Sequence, residues 1–509
     1  MRITNNIIMG NTKSNVNANK INVNTLNNQM SSQKKIDKPS EDPVVAVRAL
    51  RLRSSMSELN HYLKTNCSEA ASWMEITETA LTNIRKLLKD AHTQCNSGAT
   101  GTPNADDRNT ILSSLQQIRE QIYSEGNADY AGRTVLTGYK TNSTLTYLND
   151  STEQYTIKQD LSFSDIKENT YIYNEVTTDD IANLNGAAVS AAEPGSQTLS
   201  RIRLAYDDLD AITAAPSNFS LTKSDGSAIT YTAADGSTQN LAVTNTTTEA
   251  LEASDYAVGD YDTLFNSDTG ELIFGKEIAN QLKEGQVSMQ VTYNKTGFEA
   301  GDLRPENYFN CTNNTTGNTF THYDDDGKWI SEDINYTVAT NQTMAINIEA
   351  NDVLNTNIGR DIDELTNSVQ AAIDAHAKVD KLTAMQSQDA YADEESQAKI
   401  AALLEAANKE ATLADNKMQS LYSSSIGTFQ GYLTTVDLAI TDIGARGDRL
   451  DLTKNRVSSQ YSTVEKLKSD NEDKDLSDIV IDYTASYLAY QASLQAAAKV
   501  QEQTLLDYI

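Results

Sequence analysis

Four histidines, three cysteines and one acidic run are the residues of this 509-residue chain that could hold a metal or carry a reaction. His61, His92, His322 and His376 are scattered, without HxxxH or HExxH spacing and without a cysteine pair beside them. Zinc needs three or four convergent His, Cys or carboxylate ligands, so each isolated imidazole reads as a packed or solvated side chain. Cys67, Cys95 and Cys311 are too few for a disulfide framework and read as small hydrophobes or incidental thiols, with any pairing left open. Asp324-Asp325-Asp326-Gly327 opens like a calcium loop, but Lys328 takes a ligand position and Asp333 stands where the bidentate Glu belongs. That run reads as a turn between strands. There is no GxSxG, no P-loop and no GxGxxG opening a helix. No catalytic, cofactor-binding or metal site is therefore expected, and no cofactor.

Composition narrows the class further. Asp and Glu number 71 against 41 Lys and Arg, a formal charge of −30. Such a chain repels a phosphate backbone, so nucleic acid is not an expected partner. No run approaches the ~18 apolar residues of a membrane span, and the mean hydropathy is −0.51, so no membrane partner is expected. Ile7-Ile8-Met9 is followed at once by Gly10-Asn11, so a Sec-type hydrophobic leader is not expected.

The elements that position these residues are punctuated by proline and glycine. No proline falls in 44–102 or after 305, and Gly10 is the only glycine before Gly98. An interior Pro costs a helix ~3 kcal/mol and a Gly ~1 kcal/mol, so the empty stretches permit long helices. Positions 45, 49, 52, 56, 59, 63, 66, 70, 73, 77, 80, 84, 87 and 91 alternate steps of four and three, and twelve of these fourteen are apolar. That is a coiled-coil seam. Its start is written locally: Asp42 suits the N-cap, Pro43 the first helical position, and Pro39 precedes them. From 43 to about 96 such a helix runs ~80 Å, which predicts an elongated molecule.

A second helix follows, with Ile111, Leu115, Ile118 and Ile122 on one stripe and a cap at Thr102 or Asn104. Segments 361–385 and about 395–422 read as further helices, the latter with Leu404, Leu413 and Leu421. Val436, Ile440, Ile443, Gly447, Leu450, Lys454, Val457, Tyr461 and Val464 form another seam, and Gly427 and Gly431 allow a kink before it. By contrast 141–355 is rich in Thr, Asn, Asp, Gly and Ser, holds 33 acidic against 10 basic residues, and alternates with period 2 at 286–293 and 343–348. The predicted fold is mainly α with an inserted β-rich domain: an elongated antiparallel helical bundle of N- and C-terminal segments. The expected division is 1–40 with 470–509, a bundle of 41–140 with 360–469, and an insertion at 141–359.

The two ends carry opposite charge. Residues 1–40 hold six basic residues against Asp37, and 469–509 hold two lysines against eight carboxylates. Both carry helical apolar intervals: Ile3, Ile7, Ile21, Val23, Leu26 and Met30 at one end, and Ile479, Tyr483, Tyr487, Tyr490, Leu494, Ala497, Leu505 and Leu506 at the other. One thin stripe does not offset ~1–2 kcal/mol of backbone entropy per residue, so the ends are expected to order together inside an assembly.

Met1-Arg2-Ile3-Thr4, the run from Lys35 to Ala46, Arg48 to Arg53, Ile443 to Arg446, Arg449 to Arg456, Asn471 to Asp475, and Gln503 to Ile509 stand at the two ends of the chain. Gly301 to Glu306, Tyr308 to Cys311 and Asn357 to Asp361 lie between them. Together these stretches resemble the bacterial flagellin superfamily, and within it the hook-associated protein 3 family. The resemblance implies a structural protein exported unfolded through the flagellar type III apparatus to an extracellular position between hook and filament. It implies a ring of copies, with another hook-associated protein on the hook side, flagellin on the filament side, and a cytosolic export chaperone at the C-terminal helix. The terminal helices would be the assembly interface. Filament flagellins usually carry Asn-Ser-Ala-Ala-Asp-Asp where this chain places Pro39 and Pro43 around an acidic pair, which weighs against a filament subunit. An adhesive or enzymatic role carried on 141–355 is the third reading.

Overall fold

The structure is a computed structural model and describes residues 5–100, 105–177, 180–181, 193–213, 217–249, 258–323 and 328–502. The predicted cap at Thr102 or Asn104 and the turn at 324–327 lie outside them. The helices are α1 (Asn5–Ser32), α2 (Pro43–His61), α3 (Cys67–Thr100), α4 (Ala105–Gly126), α5 (Lys276–Glu284), α6 (Ala350–Val353), α7 (Asn357–Gln386), α8 (Glu394–Glu472) and α9 (Leu476–Glu502). The fold is mainly α with a β-rich insertion, as its patterning predicts. The chain divides into two compact units: Met1–Ala71 with Tyr336–Met344 and Gly447–Ile509, and Ser72–Asn335 with Ala345–Arg446.

In the first unit α2 starts where its cap residues require. The Asp42 carboxylate accepts from the backbone N–H of Val44 and Val45 at 3.0 and 3.1 Å, with Pro43 in the first turn. Leu59 packs with Ala339 and Val457, flanked by Tyr62, Leu63, Tyr461 and Val464. Arg53 grips Glu472 with two hydrogen bonds of 2.8 and 2.7 Å. The partners of 53 and 59 thus run backwards through 472 and 457, an antiparallel packing.

The second unit repeats that sense. Arg85 pairs with Asp437, and Gly98 lies against the Tyr422 ring. Ile111, Leu115, Ile118 and Ile122 of α4 are all buried, as are Ile358, Ile362, Leu365 and Val369 of α7. Helix α8 is one continuous helix of 79 residues, where the patterning reads as two segments. Gly427 and Gly431 do not interrupt it, because each costs only ~1 kcal/mol while Tyr422, Phe429, Leu433 and Val436 carry the buried stripe across them. In the first unit's part of α8, Thr453 rather than Lys454 takes the buried place after Leu450. A lysine there would bury an unpaired ammonium.

The insertion forms two five-stranded sheets. One orders Thr319–Phe320, Asn310–Asn313, Ser151–Ser162, Ser288–Phe298 and Ser220–Lys223, all antiparallel. The other orders Lys167–Tyr173, Gly195–Arg203, Glu271–Phe274, Thr263–Asn266 and Thr244–Thr246, antiparallel except for the last pair. In the long Ser288–Phe298 strand Met289, Val291 and Tyr293 are buried at every second place, the period-2 pattern of a one-faced sheet. The second sheet is fastened to α7 by charge. Arg203 donates to Glu364 at 2.7 Å and pairs with Asp361; Arg201 pairs with Glu271 and Glu364; Arg360 pairs with Asp207. Tyr432 of α8 donates to Asp361 at 2.7 Å. Burial would raise the Glu364 carboxyl, but the guanidiniums of Arg201 and Arg203 outweigh it and hold it below its ordinary value.

Candidate assembly interface

Helices α1 and α9 pair with one another in the first unit. Their sense is antiparallel: Lys34 bridges Asp473 in a short antiparallel contact, while Met9, Lys13 and Val16 lie by Ala497 and Val500 around a small cavity. Where α1 ends and α9 begins, the backbone N–H of Lys35 donates to Glu472 O at 2.7 Å and that of Lys474 to Gln33 O at 3.0 Å. Lys34 pairs with Asp473 and approaches Glu472 at 3.6 Å. Asn471 Nδ2 donates to Val45 O at 3.1 Å. The Arg53 hydrogen bonds hold Glu472 below its ordinary value, the Lys34 hydrogen bond does the same for Asp473, and Lys34 is raised in return. This corner realises in side-chain contacts the opposite charges of the two ends.

Beyond the corner the pairing is a coiled-coil seam. In α1 the less exposed residues include Thr12, Val16, Asn19, Val23, Leu26 and Met30. In α9 they are Ile479, Tyr483, Ser486, Tyr490, Ser493, Ala497 and Val500. Both sets step by alternating threes and fours. Leu26, Met30, Ile479 and Tyr483 therefore face the partner helix within the chain. Ile7 and Ile21 do not; Ile21 is 57% exposed. Tyr487 and Leu494 are likewise on the outer side, with Val480, Ile481 and Leu488. Ile481 and Leu488 are 66% and 59% exposed. Tyr483 and Tyr487 stack at 6.0 Å and link the inner seam to the outer face. Ile3, Leu505 and Leu506 lie outside the described residues. Thr12, Val16, Asn19, Ser486, Ser493 and Val500 are not singled out by the sequence. Strict three–four stepping from Met30 and Ile479 reaches them, but their short or polar side chains hide the signal.

Pro39, Asp42 and Pro43 sit together at the start of α2, where Glu41 also accepts from the Asp37 backbone N–H at 2.8 Å. The remaining titratable side chains are packed rather than converged on a reaction. His322 stacks on Trp329 at 4.9 Å and is buried, which lowers its imidazole below the ordinary value. His376 approaches Asp415 at 2.9 Å, which also receives Arg108 at 2.8 Å. Cys67, Cys95 and Cys311 are free and buried, and burial pushes Cys95 up to about 12. Among the described residues no three His, Cys, Asp or Glu are grouped to hold a metal, and no helix is long and apolar enough to cross a membrane.

The family model of the bacterial flagellin N-terminal helical region matches residues 3–141. The flagellar hook-associated protein 3 of Salmonella typhimurium is 30% identical over 117 residues, 23% of this chain and 37% of the relative. That of Escherichia coli is 28% identical over 114 residues, 22% of this chain and 36% of the relative. The matched stretch thus spans little more than a third of these relatives. A putative flagellar hook-associated protein from Vibrio parahaemolyticus aligns in structure over 85% of this chain and 100% of that one, at 15% identity and a TM-score of 0.34. The flagellar junction protein FlgL of Legionella pneumophila aligns over 79% and 99%, at 11% identity and a TM-score of 0.27. The resemblance expected from the motifs is borne out by the family model and the two sequence relatives.

Proposed function

We propose that this chain, which matches the bacterial flagellin N-terminal helical region over residues 3–141, is a structural subunit of the bacterial flagellum and acts where hook meets filament. The observation that carries the reading is the second apolar stripe on the paired terminal helices. One stripe of α9 is spent on α1; the other, Val480, Ile481, Tyr487, Leu488 and Leu494, faces outward at heptad spacing. A helix apolar on two sides asks for two partners. The inner seam is only half-buried, so each residue returns less than the ~1.5–3 kcal/mol of a fully buried aliphatic. Neighbouring copies in a ring would cover the outer stripe and complete the ordering of both ends.

In this reading 1–40 with 470–509 form the assembling end, 41–140 with 360–469 the bundle, and 141–359 a solvated outward domain. The partners are copies of the chain, another hook-associated protein, flagellin, and an export chaperone at the C-terminal helix. The position is extracellular, the role is structural rather than enzymatic, and the route is type III flagellar export. Deleting 479–509 tests the interface: the bundle is expected to stay helical while assembly is lost, and normal assembly by that truncation overturns the role of α9. Removing the gene tests the position. Hooks without filaments and flagellin leaking into the medium would put the chain at the junction. The flagellin-type N-terminal region supports a second reading, the filament subunit itself; loss of filaments without any leaked flagellin decides for that.

A further inference from the structure

Helices α2 and α3 are joined by one turn of π-helix, Tyr62–Asn66, in which the Cys67 N–H donates to Tyr62 O five residues back. The reason is visible in the seam. The inward residues Ala49, Leu52, Met56, Leu59, Leu63, Cys67 and Ala70 alternate steps of three and four. Alternation fails at one place, where two fours follow each other on either side of Leu63. The segment carries one residue too many, and the wide turn absorbs it, so that the same face stays inward on both sides of the turn.

A β-hairpin lies on that turn, its residues 336–344 belonging to the first unit. Its strands are Asn335–Ala339 and Gln342–Ala345, joined through Asn341 at φ 56°. Asn66 Nδ2 donates to Thr337 O at 2.8 Å, and Cys67 Sγ to Val338 O at 3.5 Å. Tyr336 Oη donates to Glu69 at 3.1 Å. The hairpin's other strand reaches α8: Gln342 Nε2 donates to Thr453 Oγ1 at 3.2 Å and Gln342 Oε1 accepts from Arg456. Ala339 fills the space between Leu59 and Val457. The hairpin thus binds the helix at its surplus residue and the antiparallel helix opposite.

We propose that the Asn335–Ala345 hairpin is a strap that holds the surplus residue at Tyr62–Asn66, and that its release lets the wide turn migrate into α2 and re-face the residues it passes against α8. Each residue the surplus passes turns by ~100°, since a helix has 3.6 residues per turn, and all of α2 turns once the surplus reaches its start. Strapped, Leu59 and Leu63 face Val457 and Tyr461; released, that face is free to change. The proposal stands on the first unit's own contacts and does not depend on where the protein works.

Cys67 reports the strap, because it is fully buried beneath Val338. In the full chain carrying Cys95→Ala and Cys311→Ala, Cys67 is the one thiol, and its alkylation by iodoacetamide reads the opening. Adding Tyr336→Phe and Gln342→Ala, which loosen the hairpin at its surface, is expected to speed alkylation by about tenfold or more, with a rate flat in low denaturant, the mark of local opening. Helix content stays unchanged. An unaltered rate, or one that rises only with the steep denaturant dependence of global unfolding, overturns the proposal. Deleting Lys64 removes the surplus residue directly. The hairpin is then expected to become cleavable by thermolysin while the helices persist; a hairpin that stays resistant after the deletion overturns it equally.

Discussion

A Cβ built on Gly98 would stand 2.7 Å from the buried ring of Tyr422. Alanine ordinarily favours a helix over glycine by ~1 kcal/mol, but here the ring has no space to yield. Gly98→Ala is expected to lower stability by about 1–3 kcal/mol net, measured by denaturant unfolding of the full chain. The charged corner at Glu472 makes a pH prediction. Glu472 and Asp473 lie below their ordinary 4.5 and 3.8, so on acidification the unfolded chain takes protons first. Their contribution is whole above about pH 4.5 and fades as pH falls through the folded-state values. His322, lowered from 6.5 by burial, acts with the same sign at higher pH: its contribution is present above about 6.5 and is lost as pH falls through its folded-state value. The melting midpoint is expected to drop from pH 7 to pH 3.5, and Glu472→Gln to start lower at pH 7 and converge with the parent in acid. Parallel curves would show that the corner contributes nothing to the acid limb.

At the scale of elements, the two faces of the terminal pair separate by mutation. Val23→Asp places a charge in the inner seam and is expected to unpair α1 from α9, seen as lost helical signal. Ile481→Asp lies on the outer face and is expected to keep that signal while abolishing self-association in sedimentation. Equal effects of both would contradict the division of faces. Much of this architecture is legible in the chain. Asp42 with Pro43 marks the start of α2, and the 111–122 stripe marks α4, because caps and periodicity are local signals. Three features are not legible. The surplus residue at Tyr62–Asn66 leaves every residue type helix-compatible, so reading the spacing as uniform selects Asn66 where Cys67 is the buried one. In α1 apolar residues fall on both faces, and only the position of α9 decides that Val23, Leu26 and Met30 meet it while Ile7 and Ile21 do not. The sheets pair strands as distant as 151–162 and 288–298, which local patterning does not encode. Which residues meet across α1 and α9 is thus legible only in part, and which face they take is not.

For the molecule as a whole, the net charge of −30 opposes bringing copies together. Most of the excess is on the insertion, whereas the proposed outer stripe is apolar. Salt shortens the reach of repulsion to about 8–10 Å at 0.1–0.15 M and leaves apolar burial intact. Raising ionic strength from ~10 mM to ~150 mM is therefore expected to promote self-association of the full chain, followed by light scattering. Weaker association at the higher salt would mean that attraction between charges, not burial, drives assembly.

The ion pairs between the second sheet and α7 bear on how such a protein can change over generations. Arg201, Arg203 and Arg360 share Asp207, Glu271, Asp361 and Glu364 among them, and losing one partner strands a charge with little water to receive it. Single replacements there are penalised whichever residue goes first. A lineage that refashions its β-rich insertion must therefore inherit this group intact or exchange its members together.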